Sequence, residues 1–467
     1  MTARNSISEQ SSEVSAASAA QPSPRDSRWL IVIVFSGMLM RLFLLLLRPQ
    51  DLQSDPDAYV ALAETVLQSG GLNQPGSLQP TAFRPPLYPL LLAGLMWAGL
   101  SSTAAVAVFS LLSAAVLMIA AWWMARVAGL RGVWPAVAVL VIALDPLLLR
   151  YAVVPMTEIL SAALLSVAML NLLKAVTDEP PGRGRWAFGM QAGLCFGLAG
   201  LCRPVVFVTC AVVSGGLILA GLWNRHRGRA GDRTPNQTKV AARTGRDTLV
   251  PGLTAAIVAG LVLLPWVIRN HRQFQTFVPA TTHGGYTLLL GNNEVFYNEV
   301  VLGKDSAWHG ESLAAWQQQL QQSMRQDNVD LSSEVAQDRW MYARARQAIR
   351  ADPAAFLKAC LLRWRRFWSL TPTVNTTGSA GWLLTGTAVW YGLLWIGLAG
   401  SLFCGIHRRM DIQMLWLAIL SFLLIHTFYW TNVRMRAPLS GVMTVLSAVG
   451  WQHWYRLFRR RFDRPDA

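Results

Sequence analysis

Charge is scarce in this chain: Asp, Glu, Lys and Arg make up only 14% of its 467 residues, against about a quarter in soluble domains. That shortage, with 53% hydrophobic residues and a mean hydropathy of +0.34, excludes an ordinary soluble protein. Cysteine is scarce and unpatterned. Cys195, Cys202, Cys210, Cys360 and Cys404 form no CxxC pair or regular spacing, so neither a disulfide framework nor a zinc site is indicated. No small-residue cleavage site follows the first apolar run, which therefore reads as an uncleaved span. No repeated halves of the transporter kind are visible.

What is abundant is apolar length. Runs cover Trp29–Leu47, Ser102–Ala125, Gly132–Leu149, Val153–Leu173, Trp186–Leu201, Pro204–Trp223, Leu249–Ile268, Trp382–Ile406, Ile412–Trp430 and Ala437–Trp454. Most approach the roughly 20 residues that cross hydrocarbon. The expectation is an all-α polytopic membrane protein with about ten transmembrane helices and both ends in the cytoplasm. Twenty Trp suit the two membrane–water interfaces. The formal charge of +16 lies mostly between apolar runs, so it reads as membrane orientation and not as nucleic-acid binding. Alternate connections are the basic ones: Arg126 with Arg131, Lys174 through Arg185, Arg225 through Arg246, Arg408 with Arg409, and the end from Arg456.

The expected organisation is a disordered cytoplasmic tail at 1–28, then an N-terminal transmembrane module at 29–268 with a functional first outer loop at 48–101. An outer, periplasmic loop domain at 269–381 follows, then transmembrane helices at 382–455 and a basic cytoplasmic tail at 456–467. In the first outer loop a short helix is expected from Pro56, with an apolar interfacial piece over Pro86–Leu100. The second outer loop predicts two polar helices near 311–350 and a basic, aromatic helix over Ala354–Ser369, which suits a helix lying on the membrane surface.

Candidate chemistry sits on the outer side. Asp55 before Pro56 suits a helix N-cap with proline at the first helical position. Equally, it is a carboxylate at a rigid helix start, able to take an acceptor's proton; Asp57 is the next acid, and Tyr59 falls one turn on. Arg84 in Phe83-Arg84-Pro85-Pro86-Leu87-Tyr88 is either an interfacial arginine beside Tyr88 or a fork for a phosphate. Glu158 opens a span, where the helix dipole suffices to explain it, although acids at membrane depth are usually functional. Arg203, Arg434 and Arg436 fall on the same side. Each alone reads as a snorkelling arginine; their convergence with two acids points to a site.

In order along the chain, Asp55-x-x-x-Tyr59, Arg84-Pro-Pro-Leu-Tyr-Pro, Met156-Thr-Glu158, Arg203-Pro204, Pro265-Trp-Val-Ile-Arg269-Asn270, Gly291-Asn-Asn and Arg434-Met-Arg436-Ala-Pro438 resemble GT-C membrane glycosyltransferases. The similar branch is that of protein O-mannosyltransferases and bacterial aminoarabinose transferases, over roughly residues 29–455. The resemblance implies a hexosyl- or pentosyltransferase in the cell (inner) membrane that takes a polyprenyl-phosphate-linked sugar. The acceptor would be a lipid, glycan or protein, and membrane lipids would surround the enzyme. It implies Asp55 as general base. Many members have a second acid directly after it, whereas here Pro56 intervenes and Asp57 is next, which leaves open whether Asp57 shares the role. Glu158 is a further candidate catalytic acid. Tyr59, Arg84, Tyr88, Arg203, Arg269, Asn270, Arg434 and Arg436 would bind substrate. Metal use varies in the family, so no cofactor is assigned and a divalent metal ion is left open. A lipid or sugar flippase, a non-catalytic envelope assembly protein, and an O-antigen-type ligase or polymerase are the rival readings.

Overall fold

The computed structural model describes residues 24–177, 183–229, 235–303, 308, 311–372, 381–404 and 409–462. Its helices in chain order are α1 (Pro24–Leu47), α2 (Pro49–Gln53), α3 (Tyr59–Ser69), α4 (Leu87–Trp97), α5 (Ser102–Val127), α6 (Trp134–Leu144), α7 (Pro146–Tyr151), α8 (Glu158–Thr177), α9 (Arg183–Cys202), α10 (Val205–Arg229) and α11 (Pro235–Phe274). There follow α12 (Gly284–Gly291), a single turn at Glu294–Phe296 that runs into a π-helical turn, α13 (Glu311–Gln326), α14 (Glu334–Ala351) and α15 (Pro353–Phe367). The chain ends with α16 (Gly381–Leu402), α17 (Met410–Phe428), a 3-10 segment at Val433–Leu439 and α18 (Ser440–Phe462). Among the described residues the only β pairing is an isolated bridge between Asn73 and Pro80. This is an all-α polytopic membrane protein.

Seven of the described helices are long and apolar enough to cross a membrane: α1, α5, α8, α10, α11, α16 and α17. The other three expected spans differ for local reasons. Gly132–Leu149 is divided between α6 and α7 because Pro146 cannot continue a helix. Asp145 at the break accepts from the Leu147 and Leu148 amides at 2.9 and 3.1 Å. The break leaves carbonyls of α6 without intrahelical partners. The buried guanidinium of Arg41, on α1, takes those of Ile142 and Ala143 at 3.0 Å each. α9 and α18, with 20 and 23 residues, have the length but carry more polar residues. The expected tail at 1–28 lies outside the described residues up to 23, and the chain is already helical from Pro24.

The helices pack by small-residue contact, as expected where lipid removes the hydrophobic drive between helices. A Cβ on Gly450 of α18 would collide with the Gly397 carbonyl oxygen of α16. The largest core cluster joins Leu117 and Trp122 of α5, Met169 of α8, Ile412 of α17 and Leu446 of α18. Large apolar side chains such as Phe35, Leu46, Leu219, Leu261, Trp382 and Ile396 point outward, as lipid-facing residues do.

At one end of the bundle, α12–α15 form a helical unit with their own aromatic core around Phe296, Trp308 and Trp316. α15 departs from the expected surface helix. Of its basic residues Lys358 and Arg365 are exposed, but Arg363 and Arg366 are buried. Arg363 turns inward because main-chain carbonyls await it: Thr427 at 2.8 Å and Gly291, with Asn292 Oδ1 at 2.8 Å. Leu357, Leu361 and Trp364 keep an exposed apolar stripe one and two turns apart.

Candidate active site

The first loop positions its acids differently from the expected cap. Asp55 to Ala58 close a turn, with the Ala58 amide donating to the Asp55 carbonyl at 3.0 Å, and Pro56 occupies the second turn position that its fixed φ suits. Ala58 then takes a left-handed conformation, φ 58° and ψ 29°, before α3 begins at Tyr59. Pro56 is therefore not the first helical residue. The Asp55 carboxylate still caps the helix from outside it, accepting from the Tyr59 amide at 2.8 Å and the Ala61 amide at 2.9 Å. The turn projects Asp57 away from those amides.

Asp57 meets arginines from two distant segments: Arg84 at 2.8 Å and Arg434 at 2.6 Å, one on each oxygen. Arg434, in the 3-10 segment, also donates through Nε to Glu158 Oε1. Glu158 is fully buried at the start of α8 and receives Arg203 at 2.6 Å. Two carboxylates and three guanidiniums thus form one chain of ion pairs, Arg84–Asp57–Arg434–Glu158–Arg203. Two sulfurs flank it, Met156 Sδ at 3.0 Å from Arg434 and Met435 Sδ at 3.3 Å from Arg203. Burial pushes the Asp57 carboxyl up, but Arg434 and Arg84 outweigh it and hold it below the usual carboxylate range. Burial alone would lower Arg434; Glu158 and Asp57 reverse that and raise it.

Tyr59 and Tyr88 stand beside the cluster, both buried, their rings edge to face at 5.3 Å. Burial lifts the Tyr59 phenol to about 12. The Arg84 guanidinium lies 5.9 Å from the Tyr59 ring centroid and 5.3 Å from that of Phe83.

The remaining expected residues are elsewhere. Arg269 donates to the carbonyls of Thr81 and Leu72 at 2.9 Å each, tying down the loop before Arg84. Asn270 is buried and bonds the Val278 carbonyl at 3.1 Å. Arg436, two residues after Arg434, is buried on the carbonyls of Phe367 and Ser369 and over the Tyr391 ring at 4.1 Å.

Sequence reasoning missed Glu334, His283 and Tyr151. Glu334 opens α14, and its carboxylate accepts from Thr81 Oγ1 at 2.8 Å and the Ala82 amide at 2.7 Å. The His283 ring packs on Phe83 at 4.3 Å, and burial lowers its pKa to about 3. The Tyr151 ring lies 5.7 Å below Arg434. An acid at a helix start and a tyrosine at a span end carry no distinguishing local pattern. Among the described residues no group of three or more His, Cys, Asp or Glu is arranged to hold a metal ion. Asp57 has an arginine on each oxygen, whereas Glu158 takes both of its arginines on Oε1 and its buried Oε2 has no partner. No step is routed through a metal ion.

No protein-family profile and no curated protein sequence matches this chain. Solved structures do match in shape. The archaeal oligosaccharyltransferase AglB from Archaeoglobus fulgidus, solved with an inhibitory peptide and a dolichol-phosphate, matches with a TM-score of 0.53 and 16% identity, over 95% of this chain and 53% of that one. The A. fulgidus oligosaccharyltransferase with Zn and sulfate matches with a TM-score of 0.53 and 17% identity, over 92% and 50%. ArnT from Cupriavidus metallidurans, bound to undecaprenyl phosphate, is 14% identical over 91% of this chain and 78% of that one; its TM-score of 0.35 adds nothing further. This chain spans about half the length of the oligosaccharyltransferases it matches. Its fold is similar to that of about half of the archaeal oligosaccharyltransferase chain.

Proposed function

We propose that this protein is a membrane glycosyltransferase that moves a sugar from a polyprenyl-phosphate carrier to an acceptor on the outer face of the cell membrane. The observation that carries the reading is the chain of three guanidiniums and two carboxylates at one end of the helical bundle. Arginine forks match phosphate oxygens, and the surplus positive charge stabilises the charge that grows on a departing phosphate. Arg84, Arg203 and Arg434 are assigned to the donor phosphate. Tyr59 and Tyr88 wall the site, while Arg269, Asn270 and Arg436 support it from behind by holding main chain.

The base is a carboxylate of the first outer loop. Asp55 matches the family's acid by motif, but both its oxygens are bound to amides of the helix it caps. Asp57 is bound only by arginines that a phosphate would attract, and the geometry favours it. The outward orientation rests on the basic connections, which belong inside. It places the active site in the periplasm or exterior, where lipid-linked donors replace nucleotide sugars.

The test is chemical. Lipid extracts from a strain lacking this protein should accumulate a polyprenyl-phosphate sugar, and its mass identifies the donor. Extracts identical to wild type, together with no sugar transfer by purified protein in membranes supplied with such lipids, would discard the reading.

A further inference from the structure

We infer that the donor phosphate and Asp57 compete for the same two guanidiniums, Arg84 and Arg434, so that donor binding itself releases the carboxylate that takes the acceptor's proton. This rests on the donor assigned under Proposed function and adds the event that switches the base on.

The partners of Asp57 come from separate segments. Its Oδ1 receives Arg84 and its Oδ2 receives Arg434, so each oxygen already carries a cation that lowers its affinity for an acceptor's proton. A carboxylate stabilised in this way by two cations is a poor base. Asp55 differs in kind, because the amides that hold it belong to α3 and leave only if the helix unwinds. Arg434 is built for exchange. Its Nε is held by the buried Glu158, which fixes the guanidinium in place, while Nη2 faces Asp57. Nη2 can change partner without the side chain leaving its position.

Charge balance gives the exchange a direction. Three guanidiniums against two carboxylates leave one positive charge. A sugar phosphodiester brings one negative charge, and the loaded site is neutral. In the transfer, the acceptor oxygen bonds to the anomeric carbon. The bond from that carbon to the phosphate oxygen breaks, and its electron pair stays on the phosphate, which becomes a dianion. The acceptor's proton passes to Asp57. Neutral Asp57 and dianionic phosphate again leave the site neutral, whereas a proton lost elsewhere would leave a net negative charge in a poorly solvated place. Proton uptake by Asp57 and departure of the phosphate therefore stabilise each other. The charged and titratable groups facing Asp57 are Arg84, Arg203, Arg434, His283 and Tyr59, and its net fall below the usual range belongs to the unloaded site.

The probe is farnesyl methyl phosphate, a diester with the donor's single charge and no titration near neutrality, added to purified protein in nanodiscs. Removing a competitor should tighten binding: Asp57→Asn is expected to bind the diester about tenfold more tightly than wild type. Asp55→Asn removes the same charge nearby and should change affinity less than about twofold, because its partners are not shared with the ligand. An Asp57→Asn protein that binds no tighter, or equal tightening in both variants, overturns the exchange. Wild-type protein that ignores the diester overturns the donor reading itself. A measurement without variants covers misfolding of Asp57→Asn. Near about pH 5, where freed carboxyl groups begin to titrate, calorimetry in buffers of different ionisation enthalpy should show wild-type protein taking up protons on binding. Binding with no uptake overturns the proposal.

Discussion

Glu334 holds the amide of Ala82 at 2.7 Å, although 252 residues separate them in the chain and Ala82 lies only two positions before Arg84. The same carboxylate receives Thr81 Oγ1, and the Thr282 amide donates to the Ala82 carbonyl at 3.0 Å. The helical unit of α12–α15 thus grips the strand of chain that carries Arg84. Through Arg363 and Asn292 it also grips the carbonyls of Thr427 and Phe428, a few residues before Arg434.

From this grip Glu334 is expected to act as a positioning residue. Glu334→Ala should raise the donor KM about tenfold, the effect of losing roughly 1.4 kcal/mol of alignment, while kcat changes little. Glu334→Gln keeps an acceptor for the Ala82 amide and should recover most of the loss. Steady-state kinetics on equal amounts of inserted protein check this. A fall in kcat at constant KM, or no rescue by Gln, would contradict the role.

Arg434 joins two acids that are otherwise distant in sequence, so its loss should affect folding as well as transfer. Arg434→Ala leaves the fully buried Glu158 with Arg203 alone, and breaking a buried pair in this way costs about 3–5 kcal/mol. Arg434→Lys keeps the charge but cannot reach both carboxylates through a planar fork, so it should insert yet transfer poorly. Thermal unfolding in detergent and a transfer assay separate the two effects. An Arg434→Ala protein as stable as wild type would show that the bridge contributes nothing.

Asp55 and Asp57 should respond differently to Asn. Asn caps helices about as well as Asp, so Asp55→Asn should fold normally and retain most transfer. Asp57→Asn should lose about a hundredfold to ten-thousandfold, the usual range for a general base. Transfer from a polyprenyl-phosphate sugar, normalised to inserted protein, decides between them. The reverse pattern would return the base to Asp55.

Reporter fusions test the orientation. Fusions at residue 235 and at the C-terminus should report cytoplasm, and one at residue 320 should report the exterior. An exterior signal at residue 235 would invert the site's placement.

Much of the fold was legible in the sequence because lipid imposes simple rules. Apolar length marks the spans, and the polar stretches near 311–350 became α13 and α14. The exceptions are local competitions that a hydropathy window averages away. Pro146 breaks an apolar run, and Arg41 compensates the carbonyls it frees. Arg363 and Arg366 look like headgroup contacts by pattern, yet Arg363 folds inward onto carbonyls supplied by Gly291 and Thr427.

The sequence by itself determined that the chain is a helical membrane protein, and that Asp57, Arg84, Glu158, Arg203 and Arg434 belong to one end of it, because hydrophobic length and chain direction settle which end each segment turn occupies. Which acid meets which arginine was decided only by the tertiary structure. Asp55 and Asp57 are two residues apart and chemically identical, but a left-handed Ala58 turns one carboxylate onto the amides of α3 and leaves the other to Arg84 and Arg434. Likewise Arg434 and Arg436 are two residues apart, and the tight 3-10 segment sends one to the acids and the other to the carbonyls of Phe367 and Ser369. Ion-pair partners depend on distances between segments far apart in the chain, and those distances exist only once the helices have packed.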